Sequence, residues 1–199
     1  TVTGADYIFT GGGIVADAAA STLGGASGKL VITNGGSADF SGITGPNWFK
    51  GGIEFNSGSL TLGDASQLGA DFKAVTFAGT NTINFTNNNF VFDSGGADSN
   101  RIVNGNGNLD ILTQNNASVT LSNAKSASDG GAVHSTGALQ IGDNFKFIGN
   151  TANGKGGAVF ADSTASFGKG AMLGNNSAGS DGGAMYSKGA LVFSDLAVL

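Results

Sequence analysis

The sequence predicts an all-β fold, a right-handed parallel β-helix (β-solenoid) of about 7 to 8 coils. Three observations carry that prediction: a signature at a fixed interval, short runs of alternating apolar residues, and an excess of glycine. The signature reads Gly130-Gly131-Ala132-Val133, Gly156-Gly157-Ala158-Val159 and Gly182-Gly183-Ala184-Met185, so the copies follow one another at a constant 26-residue step. An interval of this length marks a stacked, quasi-one-dimensional structure in which each unit contacts mainly its neighbours. Leu139 alternates with Ile141, Phe145 with Phe147 and Leu191 with Phe193. Period 2 over short runs bounded by Gly, Asn, Asp and Ser indicates half-buried strands. Glycine supplies 36 of 199 residues against a single proline, Pro46, so the backbone turns often. Collagen is excluded, because glycine does not recur at every third position.

Residues 1–103 follow this grammar irregularly, as coils with inserted loops. Leu30-Val31-Ile32, Gly52 to Phe55, Leu60-Thr61-Leu62, Val75-Thr76-Phe77, Ile83-Asn84-Phe85 and Phe90-Val91-Phe92 are strand-sized pieces between turn residues. Ala16 to Leu23 is read as a short helix or N-terminal cap, since a solenoid needs an end closed to further stacking. Gly45 to Lys50 and Ala65 to Lys73 read as protruding loops. Their candidate partner-binding residues are Pro46, Asn47, Trp48, Phe49, Lys50 and Gln67. The simpler role for Trp48, the only tryptophan, is packing over a coil edge.

Residues 104–199 form the regular part of the same continuous solenoid. Superposing the copies puts Leu139, Ala165 and Leu191 in one column, Ile141, Phe167 and Phe193 in a second, and Phe147, Leu173 and Leu199 in a third. Asn150 and Asn176 share a further column. One period before Gly130 stands Asn104, where the signature has faded, yet Val119 and Leu121 still fall where Phe145 and Phe147 fall. Three runs per unit fit a coil with three bends, stacked on the next at about 4.8 Å, for a body on the order of 35 Å long. The third copy stops at Leu199, before the Asn of its column is reached, so the chain reads as a trimmed part of something longer.

Composition narrows the function. The formal charge is −5 and the only arginine is Arg101, which argues against nucleic-acid binding and against anionic membrane surfaces. No stretch is long and apolar enough for a spanning helix, so direct membrane insertion of this segment is not expected. Fourteen Phe and few charges allow a buried core and argue against disorder. Cysteine is absent, which leaves no disulfide framework or thiolate metal site.

Gly-Gly-Ala followed by Val or Met, with Phe-x-x-Asn later in the unit, resembles the repeat of the chlamydial polymorphic membrane proteins and related autotransporter passengers. The full pairing is Gly130 to Val133 with Phe147-Ile148-Gly149-Asn150; the second copy has Leu173-Gly174-Asn175-Asn176, with Leu in place of Phe. The resemblance covers roughly residues 104 to 199 and is architectural before that. It implies a β-helical passenger carried through the outer membrane of a Gram-negative bacterium to the cell surface or beyond, where it acts as an adhesin or host-receptor ligand in virulence. The partner it implies is a host-cell surface protein or glycan, with self-association, and hence aggregation or biofilm formation, as the alternative. Many chlamydial members are Cys-rich and this chain has none, which argues for a relative in another Gram-negative lineage.

The repeat residues themselves read as scaffold. Phe147 and Leu173 point inward, Asn150 and Asn176 form a turn column, and Gly130-Gly131, Gly156-Gly157 and Gly182-Gly183, each followed by Ala132, Ala158 or Ala184, round a corner that a Cβ would block.

An enzyme is the main rival, because β-helices also host polysaccharide lyases and glycosidases. Such catalysis needs clustered carboxylates, or Ca²⁺ with a basic residue. Of the 14 acidic residues only Glu54 is a glutamate, and the aspartates are scattered in turns. Asp129 and Asp181 precede repeat glycines, but Lys155 holds the same place between them. His134, the only histidine, aligns with Phe160 and Tyr186 and reads as part of a stacked face. No catalytic constellation, cofactor or metal site is expected: Gly95-Gly96-Ala97-Asp98 lacks the third glycine of a calcium repeat, and Gly11-Gly12-Gly13 is not followed by Gly-Lys-Ser/Thr. An ice-binding face is disfavoured, since Thr76, Thr82 and Thr120 do not recur at the repeat interval.

Overall fold

The computed structural model describes residues 2–3, 6–11, 30–33, 35–43, 53–68, 75–87, 90–93 and 102–195. The expected cap at Ala16 to Leu23, the loop from Pro46 to Lys50, Arg101 and Leu199 lie outside them. The described chain is a parallel β-solenoid, as expected for the class. Two sheets run along it, each eight strands deep. The first ends in Ile102–Asn104, Val133–Ser135, Val159–Ala161 and Met185–Ser187, and the second in Leu109–Thr113, Leu139–Ile141, Ala165–Phe167 and Leu191–Phe193. A third sheet stacks Phe90–Asp93, Val119–Ser122, Phe145–Ile148 and Met172–Gly174.

A fourth sheet, absent from the three-sided expectation, stacks the two-residue strands Lys125–Ser126, Thr151–Ala152 and Ser177–Ala178. Each regular coil therefore has four short faces. Only one helical element occurs among the described residues, the 3₁₀ turn Ala65–Leu68.

Register confirms the columns read from the repeat. Val133 faces Val159 and Val159 faces Met185, Leu139 faces Ala165 and then Leu191, and Phe147 faces Leu173. Val119 and Leu121 face Phe145 and Phe147, so the register of the repeat already holds on the third face there. On the first face it does not: Asn104 faces Ser135 rather than Gly130, because this strand pair is offset by 31 residues. Earlier offsets fall on both sides of the repeat: Ile53 faces Val75, 22 residues on, whereas Val75 faces Ile102, 27 on, and Phe90 faces Val119, 29 on. The extra or missing residues fall in the corners, where added length is inexpensive.

Alternation places every second side chain inside. Phe40, Phe55, Phe77, Phe85, Phe145, Phe147 and Phe167 are buried in one continuous core with Ile, Leu and Val. Phe147 is fully buried, as its inward placement requires. Its ring contacts are Phe145 on its own strand and Phe167 across the interior, both at 6.2 Å between centroids, rather than rings directly above it.

The corners explain the polar repeat residues. Asn123, Gly149 and Asn175 take φ of 55°, 67° and 55°, one position after the aligned Ser122, Ile148 and Gly174. Left-handed backbone favours Gly and tolerates Asn, which is why the two interchange down this column.

Candidate functional site

The repeat signature is interior or backbone-facing wherever the solenoid continues past it. Gly156 sits at φ 64°, and a Cβ there would overlap the carbonyl oxygen of Val159. A Cβ on Gly131 would overlap the carbonyl oxygen of Gly157, and one on Gly157 that of Gly183. Ala132 and Ala158 are buried, and the N–H of each donates to the carbonyl of the next alanine in the column, at 2.8 and 2.7 Å.

Asn150 is fully buried and carries the corner of its coil. Its Oδ1 accepts from the N–H of Ala124 (3.0 Å), and its Nδ2 donates to the carbonyl of Leu121 (2.9 Å) and to Asn176 Oδ1 (3.0 Å). Asn176 Oδ1 also accepts the N–H of Asn150 (2.9 Å), and Asn176 Nδ2 donates to Phe147's carbonyl (2.8 Å). The two asparagines form a ladder across three coils, as their shared column implied.

Gln67 departs from the expectation of an exposed recognition loop. It is 1% exposed; its Oε1 accepts from the N–H of Gly63 (2.8 Å) and Asp64 (3.2 Å), and its Nε2 donates to the carbonyl of Ile43 (2.9 Å). A buried amide satisfied on both sides is a peg holding the 3₁₀ turn against the preceding coil. The other candidate loop residues, Pro46, Asn47, Trp48, Phe49 and Lys50, lie outside the described residues.

On the outer side of the first sheet, His134, Phe160 and Tyr186 stack in register. Their ring centroids are 4.9 and 5.7 Å apart. Lys155 Nζ lies 4.3 Å from the centre of the Tyr186 ring, 3.3 Å from its hydroxyl and 2.9 Å from Asp181 Oδ2. The hydrogen bond to Asp181, the larger cause, and the one to Tyr186 raise the Lys155 ammonium above its ordinary 10.5. Asp129 Oδ1 accepts the N–H of Lys155 at 2.7 Å, so charge alternates down the Asp129, Lys155, Asp181 column. His134 Nδ1 is 3.4 Å from the carbonyl oxygen of Asp129. This is a stabilised wall whose middle ring, Phe160, is only 4% exposed.

The second sheet presents a different outer face. Thr82, Asp110, Gln140, Ser166 and Val192 follow one another in register, one per coil. Asp110, Gln140, Ser166 and Val192, with Asn108, Ala138 and Thr164 from the adjoining corner, line a groove of about 210 Å³ along the solenoid. It offers one carboxylate, two amides, hydroxyls and one apolar end, Val192, which is 52% exposed. Such a groove can hydrogen-bond an elongated polar ligand that crosses several coils, each coil adding a contact at a spacing of about 4.8 Å. Sequence reading missed it. Period 2 marks these residues as outward, but nothing in the chain says which outward face is concave.

Among the described residues no group of three or more His, Asp and Glu is placed to hold a metal ion, and no helix is long and apolar enough to cross a membrane. The chain matches no protein-family model, no curated protein and no solved structure. The functional reading therefore rests on the solenoid and its surface.

Proposed function

We propose that this chain is a non-enzymatic surface-exposed or secreted passenger, of the autotransporter type, that binds a cell-surface protein or glycan through the side of its solenoid. The observation that carries the reading is the groove on the second sheet. Its polar side chains come from successive coils and are not consumed in building the core, unlike the Gly-Gly-Ala signature, Phe147 and Asn150. The scaffold residues repeat and the groove residues do not, which is how one architecture presents a particular surface.

The test is saturable binding of the purified chain to host cells and extracellular-matrix proteins, comparing the parent with Asp110→Lys/Gln140→Arg. Both side chains face outward, so the variant keeps the parent's circular dichroism and loses at least about tenfold in affinity, the size expected from removing one or two central contacts. Equal binding by the variant moves the site elsewhere on the solenoid. No binding to cells, matrix or glycans at any salt or pH overturns the reading, and depolymerisation of pectins or other polysaccharides replaces it with an enzyme.

A further inference from the structure

Four Asn-Gly pairs stand in the chain, Asn34-Gly35, Asn104-Gly105, Asn106-Gly107 and Asn153-Gly154. Glycine after asparagine leaves the main-chain nitrogen open to close approach by the side chain, because no Cβ shields it. The fold treats the pairs differently. Asn104 is fully buried, its Nδ2 donates to the Gly107 carbonyl (2.8 Å) and Ser135 Oγ (3.0 Å), and the Gly105 N–H donates to the Phe77 carbonyl (2.8 Å). Asn153 is exposed, but the Gly154 N–H donates to the Ser128 carbonyl (2.9 Å). The Gly35 N–H donates to Ser57 Oγ (3.0 Å), and Asn34 lies outside the described residues.

Asn106-Gly107 alone among the described pairs combines an exposed asparagine with a glycine N–H that meets no acceptor among the described residues. Both sit in the corner between Ile102–Asn104 and Leu109–Thr113. Asn106 Oδ1 accepts the N–H of Gly79 on the preceding coil. That donor draws electron density from the side-chain carbonyl and stands where an oxyanion develops when Cγ is attacked.

We propose that Asn106 is a site of spontaneous modification, losing ammonia through attack by the main-chain nitrogen of Gly107. The bond formed joins Gly107 N to Asn106 Cγ. The bond broken releases the side-chain nitrogen as ammonia, which carries off the proton lost by Gly107. Water then opens either carbonyl of the five-membered imide, restoring the glycine N–H and leaving aspartate or isoaspartate. Either product adds a negative charge in the corner that supplies Asn108 to the groove beside Asp110. Isoaspartate also lengthens main chain that is wedged between coils, since a Cβ on Gly107 would overlap the backbone of Gly79 and one on Gly137 would overlap the Gly107 carbonyl.

The whole chain is incubated in warm, mildly alkaline buffer, folded and unfolded in urea, and its peptides are analysed by mass spectrometry for exchange of an amide for a carboxyl. Asn104 and Asn106 share the peptide between Arg101 and Lys125, so fragmentation assigns the residue. In the folded chain Asn106 converts at least about tenfold faster than Asn104 or Asn153, which must wait for a local opening that frees the following N–H. In urea that difference largely disappears. Asn106→Gln removes the folded chain's main acidic product, because a glutamine closes a six-membered ring far more slowly. The proposal is overturned by an Asn106 that stays intact in the folded chain, by Asn104 or Asn153 converting as fast, by a preference that urea leaves unchanged, or by an acidic product that Asn106→Gln retains. The reaction needs no ligand, so its outcome is independent of the cell-binding test.

Discussion

Asn150→Ala tests the corner on which the regular coils depend. The substitution removes the acceptor of the Ala124 N–H and the donor to the Leu121 carbonyl, while Asn176 Oδ1 keeps the N–H of residue 150. Asn150 is fully buried and Ala124 1% exposed, so water cannot replace the lost partners without the corner opening. Two buried main-chain groups left unsatisfied cost roughly 1–3 kcal/mol each, which gives a loss of roughly 2–6 kcal/mol. Asn176→Ala likewise strips the Asn150 N–H and the Phe147 carbonyl of their partner, and although Asn176 is itself half-buried both of those residues are fully buried, so the loss is of the same order, roughly 2–6 kcal/mol. The measurement is urea unfolding followed by far-UV circular dichroism, with the slope checked for each variant, since coils of a solenoid can lose cooperativity. Asn150→Asp separates the donor from the acceptor. It keeps an oxygen for Ala124 but turns its other oxygen toward the Leu121 carbonyl and Asn176 Oδ1, so it is as damaging as alanine at neutral pH. Those oxygens and burial raise the new carboxyl's folded pKa above its unfolded one, so stability returns as pH falls and is lost again as pH rises. A loss below about 1 kcal/mol for Asn150→Ala with an unchanged slope refutes the account.

Phe147→Ala empties a fully buried site between Phe145 and Phe167 and costs about 3–5 kcal/mol in the same assay; less than about 1 kcal/mol contradicts its core placement. Gly156→Ala forces a side chain onto left-handed backbone and into Val159's carbonyl, lowering stability by about 1–3 kcal/mol or more. Asn175→Gly, at the corner column that already alternates Asn and Gly, stays within about 0.5 kcal/mol, while Asn175→Val is clearly destabilising, which unfolding midpoints distinguish. Lys155 has a raised folded pKa, so its pairing with Asp181 and Tyr186 is fully present below 10.5 and fades as pH rises through the higher folded value; an alkaline unfolding series on Lys155→Met shows the parent's advantage disappearing there. That advantage also falls with added salt, because the pair is partly exposed.

Much of the interior was legible because a solenoid converts an interval in sequence into a vertical neighbour. The positions 133, 159 and 185, or 150 and 176, had to meet once the coil length equalled the repeat, and the period-2 runs told which of them face inward. The strands Lys125–Ser126, Thr151–Ala152 and Ser177–Ala178 were not legible, since two residues carry no periodicity. Gln67 misled for a related reason: a polar side chain beside turn residues reads as a surface loop, and only the positions of Gly63, Asp64 and Ile43 show that its amide is fully bonded inside.

By itself, then, the sequence determined the class of fold, the register of its last coils and the scaffold role of the Gly-Gly-Ala signature, Phe147 and Asn150, because all of these follow from period and side-chain size. The tertiary structure alone decided the number of faces per coil, the direction of Phe147's ring contacts, the burial of Gln67 and the concavity beside Asp110 and Gln140. Each of these depends on how corners of unequal length set one face against another, and corner geometry is a property of the stacked coils together rather than of any one stretch of chain.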